Sequence, residues 1–139
     1  MSLRPFHLAF PVRDIAEARA FYGDLMGCRE GRSADDWADF DFYGHQIVAH
    51  RLEGAGGDVG GNPVDGHNVP VPHFGVVLDM PSWTELAARL TAAGTKFEIA
   101  PHVRFAGEPG EQATMFLRDP SGNAIEMKAF ASLDALFAT

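Results

Sequence analysis

A repeated strand, break and helix constrains this chain more than any other feature of its sequence. "FHLAFPVRDIAEARAFYGDLMG", from Phe6, and "HFGVVLDMPSWTELAARLTAAG", from His73, each read as an apolar strand followed by a helix that stops at glycine. In the first predicted helix Asp14 and Glu17 form a capping-box pattern, and Ile15, Ala18, Tyr22 and Leu25 recur on one helical face. Gly27 suits a left-handed stop. The second uses Ser82 and Glu85 as the box, Leu86, Leu90 and Ala93 as the stripe, and Gly94 as the stop. Strand-like runs follow near 28–31, 37–42 and 46–51, and again near 95–99, 113–118 and 123–129. "YGHQIVAH" occupies the place of "SGNAIEMK", with Gly44 opposite Gly122. The expected fold is α+β, built from two tandem βαβββ modules.

Module one spans 4–52 and module two 73–130, with a tail at 131–139, all within one domain of 1–139. The Gly- and Pro-rich "EGAGGDVGGNPVDGHNVPVP", 53–72, reads as a linker with little structure of its own. The second module is longer than the first, and its extra residues fall around "APHVRFAGEPGEQ", read as a loop at 99–112.

Charge excludes several functions. With a net charge of −8, the chain offers no basic surface to nucleic acid, and no Lys or Arg run invites an anionic membrane. No apolar stretch approaches the roughly 18 residues of a membrane span, and the beginning "MSLRPFHLAF" lacks the pattern of a secretory signal. A cytoplasmic location is expected. Cys28 is the sole cysteine, which precludes an internal disulfide, and it reads as a space-filling residue rather than a nucleophile.

Side chains alternate along strands, so His7 and Ala9 share one face, as do His73 and Gly75, and Ala124, Glu126 and Lys128. In each strand a metal-competent residue stands beside a small one, which leaves room for a cavity. Two imidazoles and one carboxylate make a 2-His-1-carboxylate set suited to a divalent metal with open positions. A lone ionised Glu facing an apolar cavity would be costly, and a cation removes that cost.

"FHLAFPVRDIAEARAFYGDLMGC" and "FLRDPSGNAIEMK" resemble the opening and closing segments of modules in the vicinal oxygen chelate superfamily, which includes glyoxalase I, extradiol dioxygenases, and fosfomycin- and bleomycin-resistance proteins. In the second motif Asp119, Pro120 and Gly122 suit a type I turn that aims Glu126. The resemblance implies an incomplete, U-shaped mixed β-barrel flanked by helices, with His7, His73 and Glu126 as metal ligands. Val48 occupies the strand-four position where glyoxalase I has a ligand, so the three-ligand set is more similar to extradiol dioxygenases. Gln46 and His50 share the face of Val48 and are the catalytic candidates; His45 faces the other way, and His67 lies in the linker. Arg104 and Phe105, with His102 beside them, are expected in a substrate-holding lid, while Trp37 and Phe116 read as core or cavity wall.

The activity so implied is metal-dependent chemistry on a small molecule chelated through neighbouring oxygens. Extradiol-type cleavage with Fe2+ is favoured over lyase or isomerase chemistry with Mn2+, Ni2+ or Zn2+. A metal-free, drug-sequestering module is the alternative of another class, and a homodimer is expected in either case. Fosfomycin modification ranks lower, because only Lys96, Arg104 and Arg118 supply cations near the site segments.

Overall fold

The first strand, β1 (His7–Val12), is followed by a helix whose start is fixed by Asp14, which accepts a hydrogen bond from the Glu17 amide at 2.8 Å. This is one half of the predicted capping box. The helix, α1 (Ile15–Ala18), does not continue with the expected period. Residues Arg19–Leu25 widen into a π-helical segment, so that Phe21 and Tyr22, adjacent in sequence, are both buried. Met26 is buried and Leu25 only half-buried, which shifts the predicted stripe. Gly27, at φ 78°, ends the helix as expected.

The computed structural model describes residues 3–56, 60–64 and 66–138. It comprises two compact units, Met1–Asp58 with Asp119–Asn123, and Val59–Arg118 with Ala124–Thr139. Among the described residues no helix is long and apolar enough to cross a membrane.

In the first unit β2 (Arg29–Ser33), β3 (Trp37–Phe42) and β4 (His45–Arg51) complete a four-stranded sheet in the order β1-β4-β3-β2. β1 runs parallel to β4, and the other pairs are antiparallel. Tyr22 is wholly buried at the centre of the aromatic core, with ring centroids 5.3 Å from Phe10, 4.8 Å from Phe21 and 5.5 Å from Phe40. The β3–β4 hairpin turns on Tyr43 and Gly44, both at positive φ, as a two-residue primed turn requires.

Residues 119–123 join this unit from far along the chain. Asp119 is buried, and its carboxylate accepts four hydrogen bonds: from the amides of Ser121 and Asn123 at 2.9 and 2.8 Å, the Tyr22 hydroxyl at 2.7 Å and Asn123 Nδ2 at 2.9 Å. Asn123 Nδ2 also donates to the Pro11 carbonyl at 2.8 Å, and the Arg13 amide donates to Ser121 Oγ at 2.9 Å. The predicted turn is present, closed by the Gly122 amide on the Asp119 carbonyl at 2.9 Å. Its loop of five residues is longer than the two-residue turn at Gly44, so the two hairpins correspond in place but not in geometry.

The second unit opens with structure where the sequence suggests little. Within 53–72, read as a linker with little structure of its own, an antiparallel hairpin forms from β5 (Gly60–Val64) and β6 (His67–Val71), while residues 57–59 and 65 lie outside the described residues. Its Gly and Pro content signalled loop, but a two-stranded ribbon exposes enough edge to carry Pro63 and Pro70 without losing its ladder. β7 (His73–Phe74), β8 (Val77–Leu78), α2 (Met80–Ala92), β9 (Phe97–Arg104), β10 (Gln112–Arg118) and β11 (Ala124–Phe130) follow. The sheet order is β7-β11-β10-β9, and β8 also pairs with β11. β7 and β8 run parallel to β11, which repeats the βαβββ order of the first unit.

Three details of this unit differ from expectation. The α2 cap is Asp79 rather than Ser82; its carboxylate accepts from the Ser82 amide at 2.8 Å, and that bond holds its pKa below the usual carboxylate value. Trp83 ties the helix to the sheet by donating Nε1–H to the Met127 carbonyl at 2.8 Å. β9 runs on to Arg104 through residues read as loop, because it is an edge strand and Pro101 removes a donor that the inner ladder does not need. Gly75, between β7 and β8, is required by backbone approach rather than by the cavity: a Cβ there would stand 1.5 Å from the Glu126 carbonyl oxygen.

Two measurements follow from these contacts. Burial, reinforced by the negative Asp119, pushes the Tyr22 hydroxyl well above its usual pKa of 10.0, so the folded chain keeps a proton that the unfolded chain releases. Stability therefore declines as pH rises past the unfolded value. Tyr22→Phe is expected to abolish that alkaline decline in urea unfolding and to cost about 1–2 kcal/mol at neutral pH. Gly75→Ala is expected to lower stability by about 3 kcal/mol, since backbone on both sides must separate; an unchanged urea midpoint would contradict this packing.

Candidate functional site

One face of the second unit's sheet gathers several of the polar side chains of interest. Ala124, Glu126 and Lys128 alternate on β11, Gln112, Thr114 and Phe116 on β10, and the registers place Glu126 beside Phe116 and Lys128 beside Thr114. This face and the β5–β6 hairpin enclose a cavity of about 500 Å³. Val64 and Val69 of the hairpin line it together with Ile99, Ala113 and Phe116, so its walls are largely apolar.

His73 and Glu126 meet in this cavity, with Nε2 3.2 Å from Oε1. Their side chains are 28% and 13% exposed, so water screens the pair weakly. The His73 Nδ1 lies 2.6 Å from the Pro70 carbonyl, which only accepts, so Nδ1 carries a proton and donates it there. That leaves the Nε2 lone pair turned toward a carboxylate. Glu126 Oε2 is held by the Thr114 hydroxyl at 2.6 Å, and the His73 ring packs edge-on to Phe116 at 5.0 Å. Two electron-rich atoms fixed at this distance need either a proton on Nε2 or a cation between them. One imidazole nitrogen and one carboxylate oxygen, each oriented by a further hydrogen bond, fit a divalent cation with mixed N/O preference.

His7 stands on β1 of the first unit with the same internal arrangement. Gln46 donates Nε2–H to Asp39 Oδ2 at 3.1 Å, and its Oε1 lies 2.8 Å from His7 Nδ1. Because the carboxylate only accepts, the amide orientation is fixed, Oε1 accepts from His7 Nδ1–H, and the lone pair is left on Nε2. Gln46 is thus a positioning residue for His7. Among the described residues no three His, Cys, Asp or Glu side chains form a group able to hold a metal. The structure brings His73 and Glu126 together, while His7 lies in the other unit.

The remaining candidates are distributed as follows. His50 is exposed at the end of β4, in register with Pro11 and Trp37. Val48 is buried, and His45 Nδ1 accepts from the Phe6 amide at 2.8 Å. Arg104 lines the cavity, but from β9 rather than from a lid; Phe105 is exposed, at φ 56°, with its ring 5.0 Å from the Arg104 guanidinium. Phe116 is both core and cavity wall. Lys96 is exposed, and Arg118 pairs with Glu98 at 3.1 Å, so neither serves the cavity. Cys28 is buried.

Four polar residues lining the cavity are not among the site candidates of the sequence: His67, Gln112, Thr114 and Lys128. His67, set aside as part of a linker, stacks on His102 with ring centroids 5.5 Å apart and planes at 26°. Thr114 and Lys128 were legible in principle, since strand alternation puts them on the faces of Phe116 and Glu126.

This architecture has relatives. The model of the Glyoxalase/Bleomycin resistance protein/Dioxygenase superfamily matches residues 4–127. Among solved structures, the chain is similar to a glyoxalase/bleomycin resistance protein/dioxygenase from Alicyclobacillus acidocaldarius, with 31% identity, 96% of each chain covered and a TM-score of 0.78. It is similar in fold to the fosfomycin resistance protein FosX of Listeria monocytogenes, at 16% identity, coverage of 97% and 99%, and a TM-score of 0.70. A lactoylglutathione lyase from Agrobacterium tumefaciens shares the fold at 18% identity, coverage of 99% and 98%, and a TM-score of 0.64. None of the curated protein sequences matches. Two βαβββ modules and a family pattern that spans nearly the whole chain lead to one conclusion: the protein belongs to the glyoxalase/bleomycin resistance protein/dioxygenase superfamily.

Proposed function

We propose that this chain is a divalent-metal-dependent enzyme acting on a small molecule that presents two neighbouring oxygens, with extradiol-type cleavage as the favoured reaction. The observation that carries the reading is the facing of His73 Nε2 and Glu126 Oε1 at 3.2 Å, each residue having its other polar atom committed elsewhere. His7 is the third ligand in this reading. A divalent metal bound there supplies Lewis acidity and, as Fe2+, a route to O₂ chemistry.

The chain's own residues do the rest. Thr114 holds Glu126 in one rotamer, and the Pro70 carbonyl keeps the His73 proton on Nδ1. Phe116, Ile99 and the hairpin valines keep water from the chelating end of the substrate. Gln46 acts through His7, and His50, exposed on β4, is the acid–base candidate. Val48 supplies no donor on strand four, which favours a three-ligand set over the glyoxalase-like lyase reading.

A metal-free, drug-sequestering module is the weaker alternative. A cationic drug would meet Arg104 and Lys128 in the cavity against the single carboxylate of Glu126.

Anaerobic purification followed by elemental analysis tests the proposal. The wild type is expected to hold roughly one metal per chain, and Glu126→Ala and His73→Ala, folded by circular dichroism, to lose it. Absence of metal after reconstitution with Fe2+, Mn2+, Ni2+ and Zn2+ would overturn it. Gln46→Ala is expected to weaken metal binding by about 10–100-fold in competition with a chelator, with Gln46→Glu recovering part of the loss because it retains an acceptor for Nδ1–H.

A further inference from the structure

Among the described residues that line the cavity of the second unit, formal cations outnumber carboxylates, opposite to the balance of the whole chain. The protein carries a net charge of −8 with 19 acidic residues, yet Glu126 is the only carboxylate among the described residues lining the cavity. That carboxylate is already engaged by His73 and Thr114. Against it stand Arg104 and Lys128, with the imidazoles of His67 and His102.

Strand register orders these groups. Glu126 pairs with Phe116 and Phe116 with Ile99, which forms one row across β11, β10 and β9. Lys128, Thr114 and His102 form the next row, and Gln112 with Arg104 the one beyond. Each step of two residues along a strand advances about 7 Å. Measured along the strands, Lys128 and His102 therefore stand about one step from the row of Glu126 and Arg104 about two steps, roughly 14 Å, with His102 and Arg104 also displaced sideways by two strands, roughly 10 Å. The His102 Nδ1 lies 3.0 Å from the Ala100 carbonyl and donates to it, while the ring stacks on His67 across the cavity wall. A cavity of about 500 Å³ with apolar sides and a cationic end fits a compact amphipathic anion.

We propose that this cavity takes a small organic anion whose carboxylate or phosphoryl-type group is held by Lys128 and Arg104, set about 7–14 Å along the strands from the end that faces His73 and Glu126. The inference deepens the metal-dependent reading and rests on it for the place of the reacting oxygens. The anion site itself requires no metal.

Binding of benzoate, phenylphosphonate and neutral benzyl alcohol to the metal-free protein, measured by calorimetry at low salt, tests it. At least one anion is expected to bind about tenfold or more tightly than benzyl alcohol, as one charge-assisted contact warrants. A preference between benzoate and phenylphosphonate identifies the carboxylate or the phosphoryl-type group as the natural one. Lys128→Met and Arg104→Met, which keep an apolar stem, are expected to remove most of that advantage, and added salt to reduce it. Glu126→Gln, which removes the cavity's own negative charge, is expected to bind the anions at least as well as wild type. Equal affinity for the neutral compound, no anion binding, or full binding in both folded methionine variants would overturn the proposal. None of these outcomes depends on metal, so this inference and the metal-dependent reading fail separately.

Discussion

A buried carboxylate, Asp119, is the constraint on which the first unit depends. Four donors satisfy it, and one of them, Tyr22, lies at the centre of the aromatic core. Removing any donor leaves a buried charge short of partners, which costs more than the hydrogen bond itself contributes. The π-helical widening of the first helix belongs to the same arrangement, since Phe21 and Tyr22 are both buried within it. A sequence motif chosen to make a turn thus also organises a core, and its acid, its asparagine and its serine each have a partner outside the turn.

This arrangement means that neither unit is a contiguous stretch of chain. The repeat visible in the sequence suggests two modules laid end to end, whereas the first unit is finished only when residues 119–123 have been made. The strand that follows carries Glu126, so the residue proposed for chemistry begins three positions beyond a rigidly hydrogen-bonded turn.

Much of the fold was legible because it rests on local signals: strand alternation, a capping Asp14, glycine stops at Gly27 and Gly94, and the hairpin at Gly122. The misreadings have equally local causes. Gly and Pro in 53–72 obscured a ribbon whose ladder tolerates them, and Pro101 obscured the length of an edge strand. Ser82 looked like a cap because its spacing to Glu85 is right, but Asp79, placed before Pro81, reaches the Ser82 amide first. At the site, His73 and Glu126 followed from alternation, while the contacts that orient the proposed ligands did not: Gln46 reaches His7 through the pairing of strands 39 residues apart, Thr114 reaches Glu126 through the register of one hairpin, and His73 reaches a backbone carbonyl, that of Pro70, which residue type does not advertise. Net charge was a poor guide to the cavity, since the acids are spread elsewhere and Lys128 shares a strand face with Glu126.

β9 forms the outer edge of the second sheet, and its Pro101 has consequences beyond ending a sequence-based strand too early. An exposed strand edge is a template on which another chain can extend the sheet, and an unbroken one invites fibres. A residue with no amide hydrogen interrupts that template in mid-strand. The same proline that hides β9 from a reader of the sequence also makes it a poor partner for stray strands, which protects a cavity-bearing sheet from uncontrolled growth.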